Sequence, residues 1–244
     1  MTATTYHPPV TIARAEFLER KWAYRKGQHV TIMGPTESGK TTLLYQLLGR
    51  SARPDLPALV MVMKPRDTTV RDWARSIGAK RVRSWPPPSR WGPAKWWMRQ
   101  PAAYTIWPSH TFDPDYDDYV LETVFRQAMR DSYRRGNRIV VADEAAGLAV
   151  DLGLRKDLET LWTRGRSMGT GLWAASQRPA FVPLHAYSQA QHLFLHHDPD
   201  LRSRKRYAEI GGVDPKMILD VTSNLPKHHF LYLGPGQRYC VVTP

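Results

Sequence analysis

"MGPTESGKTT", residues 33–42, is the stretch on which the fold turns. It fits the pattern G-x-x-x-x-G-K-[ST], with Gly34, Gly39, Lys40 and Thr41 at the fixed positions. The apolar run "QHVTIM" (28–33) leads into it and the helix-like "KTTLLYQLLGR" (40–50) leads out of it. Phosphate binding needs that strand–loop–helix order. Glycines let successive backbone N–H groups wrap phosphate oxygens, and a helix N-terminus adds a favourable dipole. The segment Gly34, Pro35, Thr36, Glu37, Ser38, Gly39, Lys40, Thr41 and Thr42 is therefore expected to cradle a nucleotide. In that reading Lys40 reaches the β- and γ-phosphates and Thr41 offers its hydroxyl to Mg²⁺.

Working outward, extended runs recur at "PALVMVM" (57–63), "AAYTIW" (102–107), "NRIVVAD" (137–143), "TGLWAAS" (170–176), "QHLFLHH" (191–197) and "HHFLYL" (228–233). Several are almost continuously apolar, as expected of strands buried on both faces. Helix-like segments lie between them at 115–136 and 154–167; the first opens on acids and closes on Arg-Arg-Gly, which suits both helix ends. Strands alternating with helices predict an α/β domain around a largely parallel sheet. We expect residues 1–27 to form an N-terminal arm and 28–244 one ATPase domain.

"RIVVADEA" (138–145) delivers Asp143 and Glu144 at the carboxyl end of an apolar strand. An aspartate so placed holds Mg²⁺ in P-loop enzymes. An adjacent glutamate suits polarisation of an attacking water, so hydrolysis is favoured over transfer to a bound acceptor. No N-K-x-D guanine signature occurs, which leaves ATP as the expected nucleotide. Ligands of a parallel sheet sit beyond the carboxyl ends of its strands. The strand at 170–176 should therefore bring Gln177 to the same edge as Lys40 and Asp143. Arg164 and Arg166 precede that strand, poorly placed for their own nucleotide but plausible for a neighbour's.

Length, charge and composition narrow the class. The 244 residues allow a substantial core, and 42% apolar with 23% charged residues is the balance of a soluble globular protein. The net charge of +13 favours polyanionic partners. No run approaches the roughly 18–20 apolar residues of a membrane span, and the start has no signal-peptide core. Cys240 is the single cysteine, which excludes an intrachain disulfide and a cysteine-rich zinc site. His196-His197 and His228-His229 are neighbours on extended runs, so each pair points to opposite faces and is not expected to chelate one ion.

The loop at 33–42, Asp143-Glu144 and above all "GRSMGTGLWAASQRP" (165–179) together resemble the FtsK–HerA superfamily of ring-shaped DNA-pumping ATPases. An arginine, a turn with glycine, an apolar strand and Gln-Arg-Pro occur in that order in the superfamily, and the resemblance covers roughly residues 28–240. It implies a RecA-like P-loop core and a homo-oligomeric, hexameric ring acting on double-stranded DNA. It also implies Gln177 as a polar sensor and Arg166, with Arg164 in reserve, as the arginine supplied to the next subunit. The small size and lack of added domains resemble the compact genome-packaging ATPases of membrane-containing, tailless viruses. That narrower likeness implies a capsid vertex protein as a further partner, and action in the host cytoplasm or on the virion. A plasmid or conjugative DNA-transfer ATPase and a filamentous-phage-type assembly ATPase are the alternatives; a small-molecule kinase would leave Asp143-Glu144 and the Gln-Arg-Pro strand unexplained.

Residues 71–100 break the α/β rhythm. They hold eight Lys or Arg against one acid, and five of the nine tryptophans. This stretch is expected to be an insertion. Its charges could meet phosphates and its rings could stack on bases or simply pack. The basic cluster "LRSRKRYAEI" (201–210) is a second candidate for DNA or a subunit interface.

Overall fold

The computed structural model describes residues 7–87, 100–177, 181–198, 200, 205–207, 209–210, 212–236 and 238–244. Residues 88–99 of the basic aromatic stretch, Arg178-Pro179, and 201–204 and 208 of the second basic cluster lie outside these.

Ten strands form one sheet in the order β1-β10-β9-β8-β2-β7-β6-β3-β5-β4. Seven consecutive strands, from β8 to the edge at β4, are β2 (Val30–Met33), β3 (Ala58–Met61), β4 (Lys80–Val82), β5 (Ala103–Ile106), β6 (Ile139–Ala142), β7 (Gly171–Ser176) and β8 (His192–Leu195). All seven run parallel. Only β9 (Phe230–Gly234) is reversed; β10 (Arg238–Thr243) returns beside it and β1 (Val10–Ala13) adds to β10 in parallel. The expected α/β architecture, a mostly parallel sheet flanked by helices, is the one observed.

Strands buried on both faces need apolar residues at every position, and the core strands have them. Their alternation splits the core in two. Leu59, Val140, Leu172 and Ala174 face one cluster; Val60, Val141, Trp173 and Ala175 face the other. The first face is covered by α4 (Pro114–Arg135), α5 (Ala145–Val150), α6 (Arg155–Arg164), α7 (His185–Ser188) and α8 (Pro215–Ser223). On the second face lie α2 (Lys40–Ser51), α3 (Thr68–Ser76) and the turn Phe17–Lys21 that follows α1 (Arg14–Glu16). In α4, Leu121, Val124, Phe125, Ala128 and Met129 recur at helical spacing and are buried. Asp113 caps this helix by accepting from Tyr116 N at 3.2 Å, and Gly136 stops it with φ 72°.

Two expected segments look different in the fold. Residues 7–27 do not stand off as an arm. β1 joins the sheet and Phe17 is fully buried, a burial worth about 1.5–3 kcal/mol. The stretch 71–100 begins as ordinary crossover structure: α3 runs to Ser76 and β4 pairs with β5. The indole N–H of Trp85 then donates to Asp131 Oδ2 at 3.1 Å, fastening the chain to α4.

Candidate active site

The order β2-β7-β6-β3 decides what meets at the carboxyl edge of the sheet. β7 lies between the strand that feeds the glycine loop and the strand that ends in Asp143-Glu144. In register, Met33 is level with Ser176, and Gly34 N donates to Ser176 O at 3.2 Å. Gln177 therefore emerges between the loop and Glu144.

The loop is held in shape from inside and behind. Glu37 and Gly39 are left-handed, with φ of 61° and 90°. A side chain on Gly34 would come within 2.5 Å of His196 Cβ, and one on Gly39 within 3.2 Å of His228 Nδ1. These two histidines form a brace behind the loop: His228 N donates to His196 Nε2 at 3.2 Å, and Arg14 Nη2 donates to His228 O at 2.9 Å. Lys40 Nζ curls back to Pro35 O at 2.6 Å, so its ammonium lies inside the loop. Burial lowers the Lys40 pKa, against which the charges of Glu144 and Asp143 act.

All five side chains expected at this edge converge. Thr41 Oγ1 donates to Asp143 Oδ1 at 3.2 Å, Gln177 Nε2 donates to Glu144 Oε2 at 3.1 Å, and Thr36 Oγ1 donates to Gln177 Oε1. Burial raises the Asp143 pKa to about 6; the Thr41 hydrogen bond opposes this and the charges of Asp67 and Glu144 add to it. Thr41 and Asp143 are hard oxygen donors side by side, the donor set Mg²⁺ prefers. Glu144 and Gln177 together could hold and polarise a water beside a terminal phosphate.

Lys64 and Asp67 line the same cleft from the loop after β3, and Tyr45 forms part of its wall. Sequence reasoning missed them. The available signal was that "MVMKPRD" (61–67) leaves a strand at its carboxyl end, the edge where ligands of parallel sheets bind.

Arg164 and Arg166 stand at the other edge. They lie before β7, about 20 Å from Gln177 at ~3.3 Å per strand residue. Both are exposed, and neither has an ion-pair partner among the described residues. The turn that carries them is closely packed: Thr170 N donates to Gly165 O at 2.9 Å, Gly169 N to Arg166 O at 3.0 Å, and Asn137 N to Met168 O at 3.0 Å. A side chain on Gly171 would fall on Tyr24 Oη and the Gln28 carbonyl oxygen.

No family model matches the chain, and no curated protein matches it by sequence. Solved structures do match. The crystal structure of B204, the DNA-packaging ATPase of Sulfolobus turreted icosahedral virus, covers 91% of this chain and 99% of its own, with TM-score 0.59 and 13% identity. The fold is shared with a packaging ATPase. The corresponding NTPase of Sulfolobus turreted icosahedral virus 2, in complex with AMPPCP, covers 89% of this chain and 97% of its own at TM-score 0.56 and 13% identity. VirB4 of Thermoanaerobacter pseudethanolicus covers 88% of both chains at TM-score 0.62 and 11% identity. At such identities the likeness is one of fold: a RecA-like P-loop ATPase architecture. Among the described residues, no helix is long and apolar enough to cross a membrane.

Proposed function

We propose that this chain is an ATP-hydrolysing motor that drives double-stranded DNA into a preformed viral capsid, working as a hexameric ring. The observation that carries the reading is the convergence of Lys40, Thr41, Asp143, Glu144 and Gln177 at one sheet edge, with Gln177 bridging the glycine loop and Glu144. The shared fold with B204 over nearly the whole of both chains supports packaging as the work done. The net charge of +13 suits a polyanionic track.

Each residue has a role in this scheme. The backbone of Gly34 to Thr42 wraps the phosphates and Lys40 neutralises the β- and γ-phosphates. Thr41 and Asp143 would hold Mg²⁺, which supplies charge neutralisation at the phosphates. Glu144 accepts the proton of the attacking water, while Gln177 orients Glu144 and registers the γ-phosphate. Arg166, with Arg164 as the alternative, reaches the nucleotide of the next subunit. Exposed arginines at the edge opposite their own nucleotide suit that arrangement. A capsid vertex protein is the expected docking partner, at work in the host cytoplasm or on the virion. The same site and the same charge also fit a second reading, DNA transfer for a plasmid or conjugative element.

The test is steady-state ATP hydrolysis against protein concentration, with and without linear duplex DNA. A ring motor gives DNA-stimulated turnover that rises steeply with concentration and a stimulation that weakens with salt. Turnover that ignores both DNA and concentration overturns the reading.

A further inference from the structure

We propose that Lys64 is a second cationic ligand of the terminal phosphate, held in place by Trp107, so that it separates the triphosphate from the diphosphate state. The inference rests on the reading of this cleft as an ATP site and adds a residue to it.

The cleft at the glycine loop has four carboxylates on its wall, those of Glu37, Asp67, Asp143 and Glu144. Against them stand two ammonium groups, Lys40 from the loop and Lys64 from the end of β3. Lys40 is committed to the interior of the loop. A triphosphate brings more negative charge than one ammonium offsets, in a cleft whose own groups are already acidic. Lys64 is exposed and has no ion-pair partner among the described residues. Its charge nevertheless reaches both Asp143 and Lys40, opposing the burial-driven rise at Asp143 and adding to the burial-driven lowering at Lys40. It is thus an uncommitted cation on the far wall of the phosphate cleft, beyond the Asp143-Glu144 pair, where β3 lies next to β6.

Its backbone is not loose. Trp107 Nε1 donates to Lys64 O at 2.9 Å, and His110 Nε2 lies 2.9 Å from Met63 O. Asp67 caps α3 by accepting from Val70 N at 3.0 Å. The root of the Lys64 side chain is therefore pinned on both flanks while its ammonium stays free to swing. Trp107 also reaches the other way. Its backbone N–H donates to Val82 O at 2.8 Å and the Arg81 guanidinium lies 4.4 Å over its ring. One indole thus ties the phosphate cleft to β4, inside the basic aromatic stretch.

The experiment measures the affinities of ATPγS and ADP, each with Mg²⁺, by displacement of a fluorescent ADP analogue, for wild type, Lys64→Ala, Lys64→Arg and Trp107→Phe. Lys64→Ala should cut the preference for ATPγS over ADP about tenfold while leaving ADP affinity unchanged, and Lys64→Arg should restore part of it. Trp107→Phe keeps a ring for Arg81 but loses the N–H to Lys64 O; it should move the ratio in the same direction by less. An unchanged ratio in Lys64→Ala, or an equal loss for both nucleotides, overturns the proposal. If the wild type binds neither nucleotide, the ATP-site reading falls and this one with it. A Lys64-dependent preference in a protein that does not hydrolyse ATP would uphold Lys64 and overturn the hydrolysis reading instead.

Discussion

Gln177 Nε2 donates to Glu144 Oε2 at 3.1 Å, so the tip of β7 steadies the carboxylate at the tip of β6. In the proposed mechanism Glu144 is the base, and the neutral amide fixes its aim. Replacing Glu144 with Gln should leave nucleotide binding intact and reduce hydrolysis by about 10²–10⁴-fold, the usual worth of a positioned general base. Phosphate release alongside nucleotide titration checks both halves; unchanged turnover would mean the base lies elsewhere.

Removing the partner should be milder. Gln177→Ala leaves Glu144 in place without its orienting amide. We expect kcat to fall by less than in Glu144→Gln, with KM little altered, because what is lost is aim in the transition state. A rise in KM at constant kcat would make Gln177 a binding residue only.

The arginine turn makes a prediction about mixtures. Arg166→Ala and Lys40→Ala should each be nearly inactive, since an arginine finger is worth about 10³–10⁵ in rate. Mixed together they should recover part of the activity, because a hybrid interface can pair an intact Arg166 with an intact Lys40. No recovery on mixing, at concentrations where the wild type is active, would remove the role in trans from Arg166; the same pair with Arg164→Ala tests the alternative.

Asp143 gives a dependence on pH. Its folded pKa of about 6 lies above the ordinary carboxylate value of about 3.9. Between those values the folded state holds more protons than the unfolded one, so stability from this group declines as pH rises through about 4 to 6. Above pH 6 the cost of burying the charge is fully present. Asp143→Asn should therefore stabilise the metal-free protein at pH 7.5, by on the order of 1–2 kcal/mol, and most of that gain should be gone at pH 4.5, the rest below pH 4. Thermal melts in chelator at the two pH values measure this. Mg²⁺ with nucleotide should then stabilise the wild type far more than the variant.

Gly171→Ala tests the packing behind the arginine turn. The added methyl meets Tyr24 Oη and the Gln28 carbonyl, and the backbone oxygen has little room to retreat. A loss of roughly 1–3 kcal/mol is expected from denaturant unfolding. A neutral result would show that β2 and β7 can part at their amino ends.

What was legible in the sequence follows burial. β2, β3, β6 and β7 are apolar at nearly every position because both their faces are covered, and each is plain as a run. The outer strands carry no such mark. β1 and β4 bury one residue each, and β4 reads Lys-Arg-Val inside a basic stretch, so only its pairing with β5 makes it a strand. The helix α3 buries only Val70 and Trp73, which is why its region reads as an insertion. In the site, Lys40, Thr41, Asp143, Glu144 and Gln177 could be brought together from strand ends alone, since parallel strands present their carboxyl termini to one edge. Lys64 could not be placed among them. Its position depends on β3 lying beside β6, a pairing between segments some 80 residues apart that no local pattern records.

β7 is six residues long, buried on both faces and hydrogen-bonded along both sides. Slipping it by one residue would turn every one of its side chains to the wrong face. It can be pushed or tilted, but it cannot stretch. Gln177 and the Arg164–Arg166 turn are thus the two ends of one stiff rod, and a displacement of the glutamine end is delivered at the arginine end with no slack between. In a ring, such a rod would fix the order of firing by geometry: the state of one subunit's nucleotide would set where its arginines stand in the next.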